Sequence, residues 1–232
     1  MCGRFTLTER NGKLIEARLG LTDGALDAIG DYVPRYNIAP TQPYFVLVTR
    51  YENRAILPAR WGLLPYWSKD ASRASQAINA KSETVESTPT FREAFRKRRC
   101  VVPADGFYEW TGGRSARQAL WIRRRDGQLL LFAGLYEEWK PAAGNRETTF
   151  TILTCAANST MAAVHNRMPV ILSDRDADDW MNPREADPIA LKRMLIPVNN
   201  DVLEMRPVSA LVNDVRNEGP ELLTAPEQGS LF

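Results

Sequence analysis

Five short apolar runs fill the middle of the chain and limit what it can become: Cys100 to Val102, Phe107 to Trp110, Gln118 to Arg123, Leu129 to Tyr136 and Thr149 to Cys155. Turn residues such as Asp126 and Gly127 separate them, and their number and spacing predict an antiparallel sheet or barrel, not alternating βαβ units. Tyr44 to Thr49 and Arg54 to Trp61 flank Glu52 and Asn53 and read as a hairpin, with Pro58 arguing for an edge. Met168 to Leu172 is a further strand. Helical stretches are expected at Thr8 to Leu19, stopped by Gly20, at Asp174 to Met181 and at Asp187 to Leu195. Another opens at Thr88 and Pro89 in TPTFREAFRKRR, where a threonine N-cap precedes a proline at the first helical position. Trp61 to Trp67, WGLLPYW, is too crowded with rings and proline for regular helix, and Ser68 to Glu86 is polar and non-periodic. With no internal repeat or linker, one domain over residues 1–222 is expected, followed by a loosely ordered tail at 223–232.

The rest of the composition narrows the chemistry. Cys2, Cys100 and Cys155 are odd in number and widely spaced, which fits a reducing compartment better than a disulfide framework. With one histidine, His165, and no CxxC or HxxxH pair, the usual zinc ligands are hard to assemble, so neither metal nor cofactor is expected. No apolar run approaches a membrane span and no signal-peptide pattern opens the chain. The expected location is the cytoplasm, by the nucleoid in a bacterium, or the nucleus in a eukaryote. The net charge of +2 gives no overall drive toward nucleic acid, so any anion-binding surface must be local.

Cys2 is the residue with the most distinctive chemistry. Once Met1 is removed, it carries a free α-amine and a thiol on adjacent carbons, and the pair can close an aldehyde into a five-membered thiazolidine. On position alone it reads equally as a small packing residue. Glu109, in PADGFYEW between two aromatics, either points to water or faces a cleft where desolvation raises its pKa and suits it to proton transfer. His165 is the lone imidazole, structural or catalytic. Asn79 in INAKSET either caps a turn or orients a terminal amine through its carbonyl. Arg92, Arg96, Lys97, Arg98 and Arg99, together with Arg123, Arg124 and Arg125, read as solvated faces. Interleaved with Trp61, Trp67 and Phe107, they also fit a cationic groove that stacks single-stranded bases.

Seven stretches in order, MCGRF, RYNIAP, WGLLPYW, INAKSET, VVPADGFYEW, HNRMPVIL and PVSALVNDVRNEGPEL, closely resemble the SRAP family, the SOS response-associated peptidase domain, from Cys2 to about Leu222. The resemblance implies a single compact α+β domain, mainly antiparallel, with a barrel-like β core flanked by short helices. It also implies an activity on abasic sites in single-stranded DNA, at replication forks or single-strand/double-strand junctions, through a covalent crosslink to the processed N-terminal cysteine.

By that resemblance Cys2 is the crosslinking residue, Asn79 lies beside the terminal amine, and Glu109 and His165 are the active-site carboxylate and imidazole. Arg4, Lys81 and Arg167 fall where the family contacts the DNA backbone, and Trp67 is expected to stack a base. Lys81 stands where arginine is usual, which replaces a bidentate phosphate contact with a single ammonium. Asn166 stands where aspartate is frequent, removing a negative charge near DNA. A monomer that binds no membrane is expected. Two rival readings are a cysteine peptidase using Cys2 and His165, chiefly to remove Met1, and a non-covalent single-strand binding module.

Overall fold

The structure, a computed structural model, describes residues 2–112, 117–141, 144–185 and 187–226. The chain runs through β1 (Phe5–Leu7), α1 (Gly12–Leu19), β2 (Arg35–Ile38), the hairpin β3 (Pro43–Arg50) and β4 (Asn53–Trp61), and β5 (Asn79–Lys81). After α2 (Arg92–Lys97) come β6 (Arg99–Ala104), β7 (Gly106–Thr111), β8 (Gln118–Arg124), β9 (Leu130–Trp139) and β10 (Glu147–Ala156). Then follow α3 (Ser159–Ala162), β11 (Arg167–Pro169), β12 (Ile171–Leu172), α4 (Asp174–Met181), α5 (Pro188–Arg193) and β13 (Leu203–Pro207). Among the described residues no helix is long and apolar enough to cross a membrane.

Five strands close on themselves. β10 pairs with β4, β4 with β3, β3 with β6, β6 with β9, and β9 returns to β10, so the ring has no free edge among these five. The expected barrel is present, with one qualification: β10 runs parallel to both β4 and β5, so the ring is mixed. The second sheet, in the order β13-β8-β7-β1-β2, is antiparallel throughout.

Phe5 of β1 reaches into the barrel core, its ring 4.9 Å from Tyr44 and 5.0 Å from Trp61, both edge-on, and 6.3 Å from Phe132. Burying such a ring stabilises the fold by roughly 1.5–3 kcal/mol, with about 0.5–1.5 kcal/mol more per well-placed aromatic pair. That anchor lies three residues from Cys2 and fixes where the start of the chain sits. The corner between β6 and β7 is tied to it as well: Asp105 accepts from the Thr6 hydroxyl and from both the N–H and hydroxyl of Thr8. Gly106 follows because a Cβ there would come within 2.1 Å of the Trp121 indole nitrogen.

Several boundaries differ from the sequence reading. The first helix begins at Gly12, since Asn11 accepts from the N–H groups of Lys13 and Leu14 and is the N-cap; Gly20 closes it in the left-handed conformation. Thr88 does not cap α2: its hydroxyl donates to the Thr84 carbonyl, and the helix starts at Arg92. Met168 to Leu172 is two strands, β11 on β10 and β12 on β9, because the run crosses from one strand of the ring to its neighbour at Val170. Pro58 is exposed and lies before the two residues of β4, Arg60 and Trp61, that pair with β10, which leaves its outer side free. In the polar 68–86 segment, Asp70 caps a 3₁₀ turn over Ala71–Gln76 and β5 follows. Of the expected tail, residues 227–232 lie outside the described residues.

Candidate functional site

Cys2 lies at the seam between the barrel and the second sheet. β1 pairs antiparallel with β7, Phe5 opposite Phe107, and the Tyr108 N–H donates to the Arg4 carbonyl, so the same register carries Gly3 alongside Glu109. On β7 side chains alternate, which sends Phe107 and Glu109 to one face while Tyr108 and Trp110 take the other. Of the two readings open to Glu109, the structure takes the inward one: the residue is 5% exposed.

From the barrel side comes Asn79. The stretch before it is fixed by the WGLLPYW segment, where the Trp61 indole donates to the Ile78 carbonyl and the Leu63 N–H to that of Ala77. Asn79 then pairs with Ile152 of β10 and donates from Nδ2 to the Cys2 carbonyl at 2.7 Å. Its Oδ1 is buried and finds no hydrogen-bond partner among the described residues. A buried amide oxygen left unused costs free energy, commonly about 1–3 kcal/mol, so such an atom invites a donor.

The Cys2 thiol is fully buried and donates weakly toward the Arg4 carbonyl at 3.8 Å. Burial pushes its pKa well above the ordinary value, and the nearby Glu109 carboxylate pushes it the same way. The thiol is therefore held protonated. A peptidase cysteine requires the opposite environment.

His165 precedes β11. Its Nδ1 accepts the Arg167 N–H at 2.9 Å, so in the neutral ring the proton sits on Nε2, the nitrogen placed to donate. β11 lies against β10 at Thr154 to Ala156, and β5 lies against the other side of β10 at Ile152 to Thr154. Asn79 on β5 and His165, two residues before β11, thus stand at the two strands that flank one stretch of β10.

The cationic and aromatic candidates separate clearly. Lys81 is exposed and two residues from Asn79 on the same strand, hence on the same face. Trp67 is 47% exposed. Arg4 is half-buried, donating to Asn37 Oδ1 at 2.7 Å and the Val212 carbonyl at 2.8 Å, with its guanidinium 5.8 Å from the Trp110 ring centre. Arg167 is held by Glu83 and Thr154, so a phosphate reaching it meets an existing ion pair. Trp61 and Phe107 are fully buried and unavailable for stacking. Arg99, grouped by sequence with the surface cations, is buried and bonded to five main-chain carbonyls. Asn166 is exposed, its carbonyl accepting the Ala157 N–H.

Sequence reasoning missed Trp110 and Arg117. Gly3, Arg4, Pro40, Trp110, Arg117 and Val215 line an open cavity of about 850 Å³, with Arg117 also 5.8 Å from the Trp110 ring centre. The alternation on β7 that turns Glu109 inward was the available signal for Trp110; for Arg117 there was none. Among the described residues no group of three or more His, Cys, Asp or Glu is placed to share a metal ion.

Known proteins match this arrangement along nearly its whole length. Abasic site processing protein YoqW of Bacillus subtilis is 39% identical over 224 residues, covering 96% of this chain and 99% of the relative. Abasic site processing protein YedK of Escherichia coli is 31% identical, with 96% and 99% covered. Abasic site processing protein HMCES of Gallus gallus is 31% identical, over 86% of this chain and 68% of that protein. A crystal structure from Bordetella bronchiseptica superposes with a TM-score of 0.73 at 26% identity, covering 90% of this chain and all of that one. One from Bacteroides thetaiotaomicron gives 0.82 at 22% identity, over 95% and 99%, a likeness of fold. The profile described as SOS response associated peptidase (SRAP) matches residues 1–215, and the chain belongs to that family.

Proposed function

We propose that this protein recognises abasic sites in single-stranded DNA and joins them covalently to Cys2 after loss of Met1. The relatives support the substrate, since those named above carry abasic site processing in their names. The observation that carries the chemistry is the Asn79 side chain, whose Nδ2 holds the Cys2 carbonyl while its Oδ1 is left for a donor on the same residue. The α-amine is that donor.

The sequence of bonds follows. An abasic deoxyribose opens from its hemiacetal to the aldehyde, with His165 donating from Nε2 at the ring oxygen while solvent water takes the proton of the anomeric hydroxyl. The neutral α-amine, whose reference pKa is about 7.7–8.0, attacks the aldehyde carbon to give a carbinolamine. Glu109 then takes the remaining proton from the carbinolamine nitrogen and passes it to the departing hydroxyl, water leaves, and an imine forms. The thiol sulfur adds to the imine carbon while its proton moves by way of Glu109 to the nitrogen, which closes the thiazolidine. Positioned acid–base groups of this kind contribute about 10² to 10⁴-fold. Because both nucleophiles belong to one residue, the ring closure is intramolecular and benefits from high effective molarity, in good cases about 10⁵–10⁸ M. The same groups run the steps in reverse, so the crosslink is reversible.

Lys81 and Arg4 hold phosphates without reading sequence, and Trp67 with Trp110 offers ring faces for the neighbouring bases. A cysteine peptidase is the weaker reading: burial and Glu109 both oppose the thiolate that attack on a peptide would need.

Cys2→Ala should abolish the denaturant-resistant product with an abasic single strand on a denaturing gel. A non-cleavable residue before Cys2, which acylates the amine and spares the thiol, should do the same. Persistence of the product in both variants overturns the proposal.

A further inference from the structure

We propose that Glu83 is a positioning residue for His165, acting through Arg167 as a clamp laid across β10. This rests on the role given to His165 above. The two strands that flank β10 meet it at Thr154, which pairs with Lys81 of β5 on one side and with Pro169 of β11 on the other. Arg167 spans that strand. Its guanidinium makes a two-pronged ion pair with Glu83, at 2.5 and 2.9 Å, and also donates to the Thr154 carbonyl and hydroxyl. Glu83 lies just beyond β5, the strand that carries Asn79.

The device is needed because β11 is only three residues long and sits at the end of its sheet. Short edge strands are weakly held, with few ladder bonds to fix them. Yet the main-chain N–H of Arg167 is the group bonded to His165 Nδ1, and a small shift there releases the ring to its other tautomer. The forked geometry of guanidinium and carboxylate sets direction as well as distance, which a lysine or a single acceptor would not. The Arg167 side chain is only 14% exposed, and the pairing pulls the Glu83 carboxyl below its ordinary range, so the clamp is closed at neutral pH. Asn79 and His165 are thereby held at a fixed separation by a pair that touches neither reacting atom.

The single histidine in the chain makes the test direct. In the full-length, DNA-free protein, long-range ¹H–¹⁵N spectra of His165 should show the Nε2–H tautomer dominant in the wild type and a mixture in Glu83→Ala. With DNA saturating, the rate of crosslink formation should fall about 10-fold, since small misplacements of reacting groups carry penalties up to 10²-fold. Affinity for a strand bearing tetrahydrofuran, an abasic analogue that cannot open, should stay within about 3-fold. Should Glu83→Ala fail to fold, Glu83→Gln carries the same three measurements. An unchanged tautomer at an unchanged rate overturns the clamp, as does tighter binding at an unchanged rate, which would make Glu83 a competitor for phosphate. Absence of any adduct in the wild type would count against the crosslinking function, while the spectra would still report on the clamp.

Discussion

Two buried polar centres, one at Arg99 and one at Asn79, are built in opposite ways. Under α4, Arg99 gives every terminal guanidinium nitrogen and Nε to carbonyls of Phe95, Arg96, Trp180, Asn182 and Glu185, and its guanidinium lies 5.8 Å from the Trp180 ring centre. At the seam, Asn79 uses its amide nitrogen on the Cys2 carbonyl and leaves its oxygen unspent. The first centre ties helix ends to a strand and has nothing left to offer a ligand. The second tolerates an unsatisfied acceptor beside a thiol whose ionisation burial and the neighbouring Glu109 carboxylate both oppose. A buried polar group whose hydrogen bonds are complete serves the fold; one with a lone pair to spare is available for chemistry.

Substitutions should pull the two centres apart. The largest effect is expected from Arg99→Met, which leaves five carbonyls without their donor; it should lower unfolding free energy by about 3–5 kcal/mol in urea titrations. Where still folded, that variant should form the DNA adduct at close to the wild-type rate. Loss of adduct without loss of stability would erase the distinction. Glu109→Gln should behave conversely, slowing adduct formation by about 10²–10³-fold with little change in stability. Removing its charge should also lower the Cys2 thiol pKa, read as faster alkylation at alkaline pH in the Met1-bearing protein.

Asn79→Ala comes next. Adduct formation should fall about 10–10²-fold while stability changes by no more than about 1 kcal/mol, because the lost hydrogen bond is offset by removal of the unused acceptor. A larger destabilisation would place Asn79 with Arg99 as a structural centre. The smallest effect is Lys81→Arg, expected to tighten binding to single strands a few-fold at low salt by adding a forked phosphate contact, with the rate at saturating DNA unchanged.

How much of this was legible in the chain depended on the kind of information each feature needs. The hairpin and the central strands β6 to β10 were plain because apolar runs and turn residues are local, and Gly20 marked its helix end for the same reason, whereas the short β1, β2, β5 and β13 were not read as strands. The late start of α2 was not: Thr88 has the chemistry of an N-cap, but its hydroxyl is taken by Thr84, a competition that only the folded turn decides. Closure of the ring through parallel pairing of β4 with β10 joins residues some ninety positions apart, and no periodicity encodes that. The candidate site residues Cys2, Asn79, Glu109 and His165 were picked out by motif. That Glu109 faces inward is decided by the pairing of β7 with β1. Arg99 shows the opposite failure: in RKRR it looks like one more surface cation, and its burial depends on α4 packing over β6.

Intact mass of the purified protein, before and after mixing with an abasic oligonucleotide, tests the central claim most directly. The account predicts a species lacking Met1 that shifts to the summed mass of protein and oligonucleotide less one water, with no such shift in Cys2→Ala. An adduct of that mass on protein that retains Met1, or one undiminished in Cys2→Ala, would contradict it.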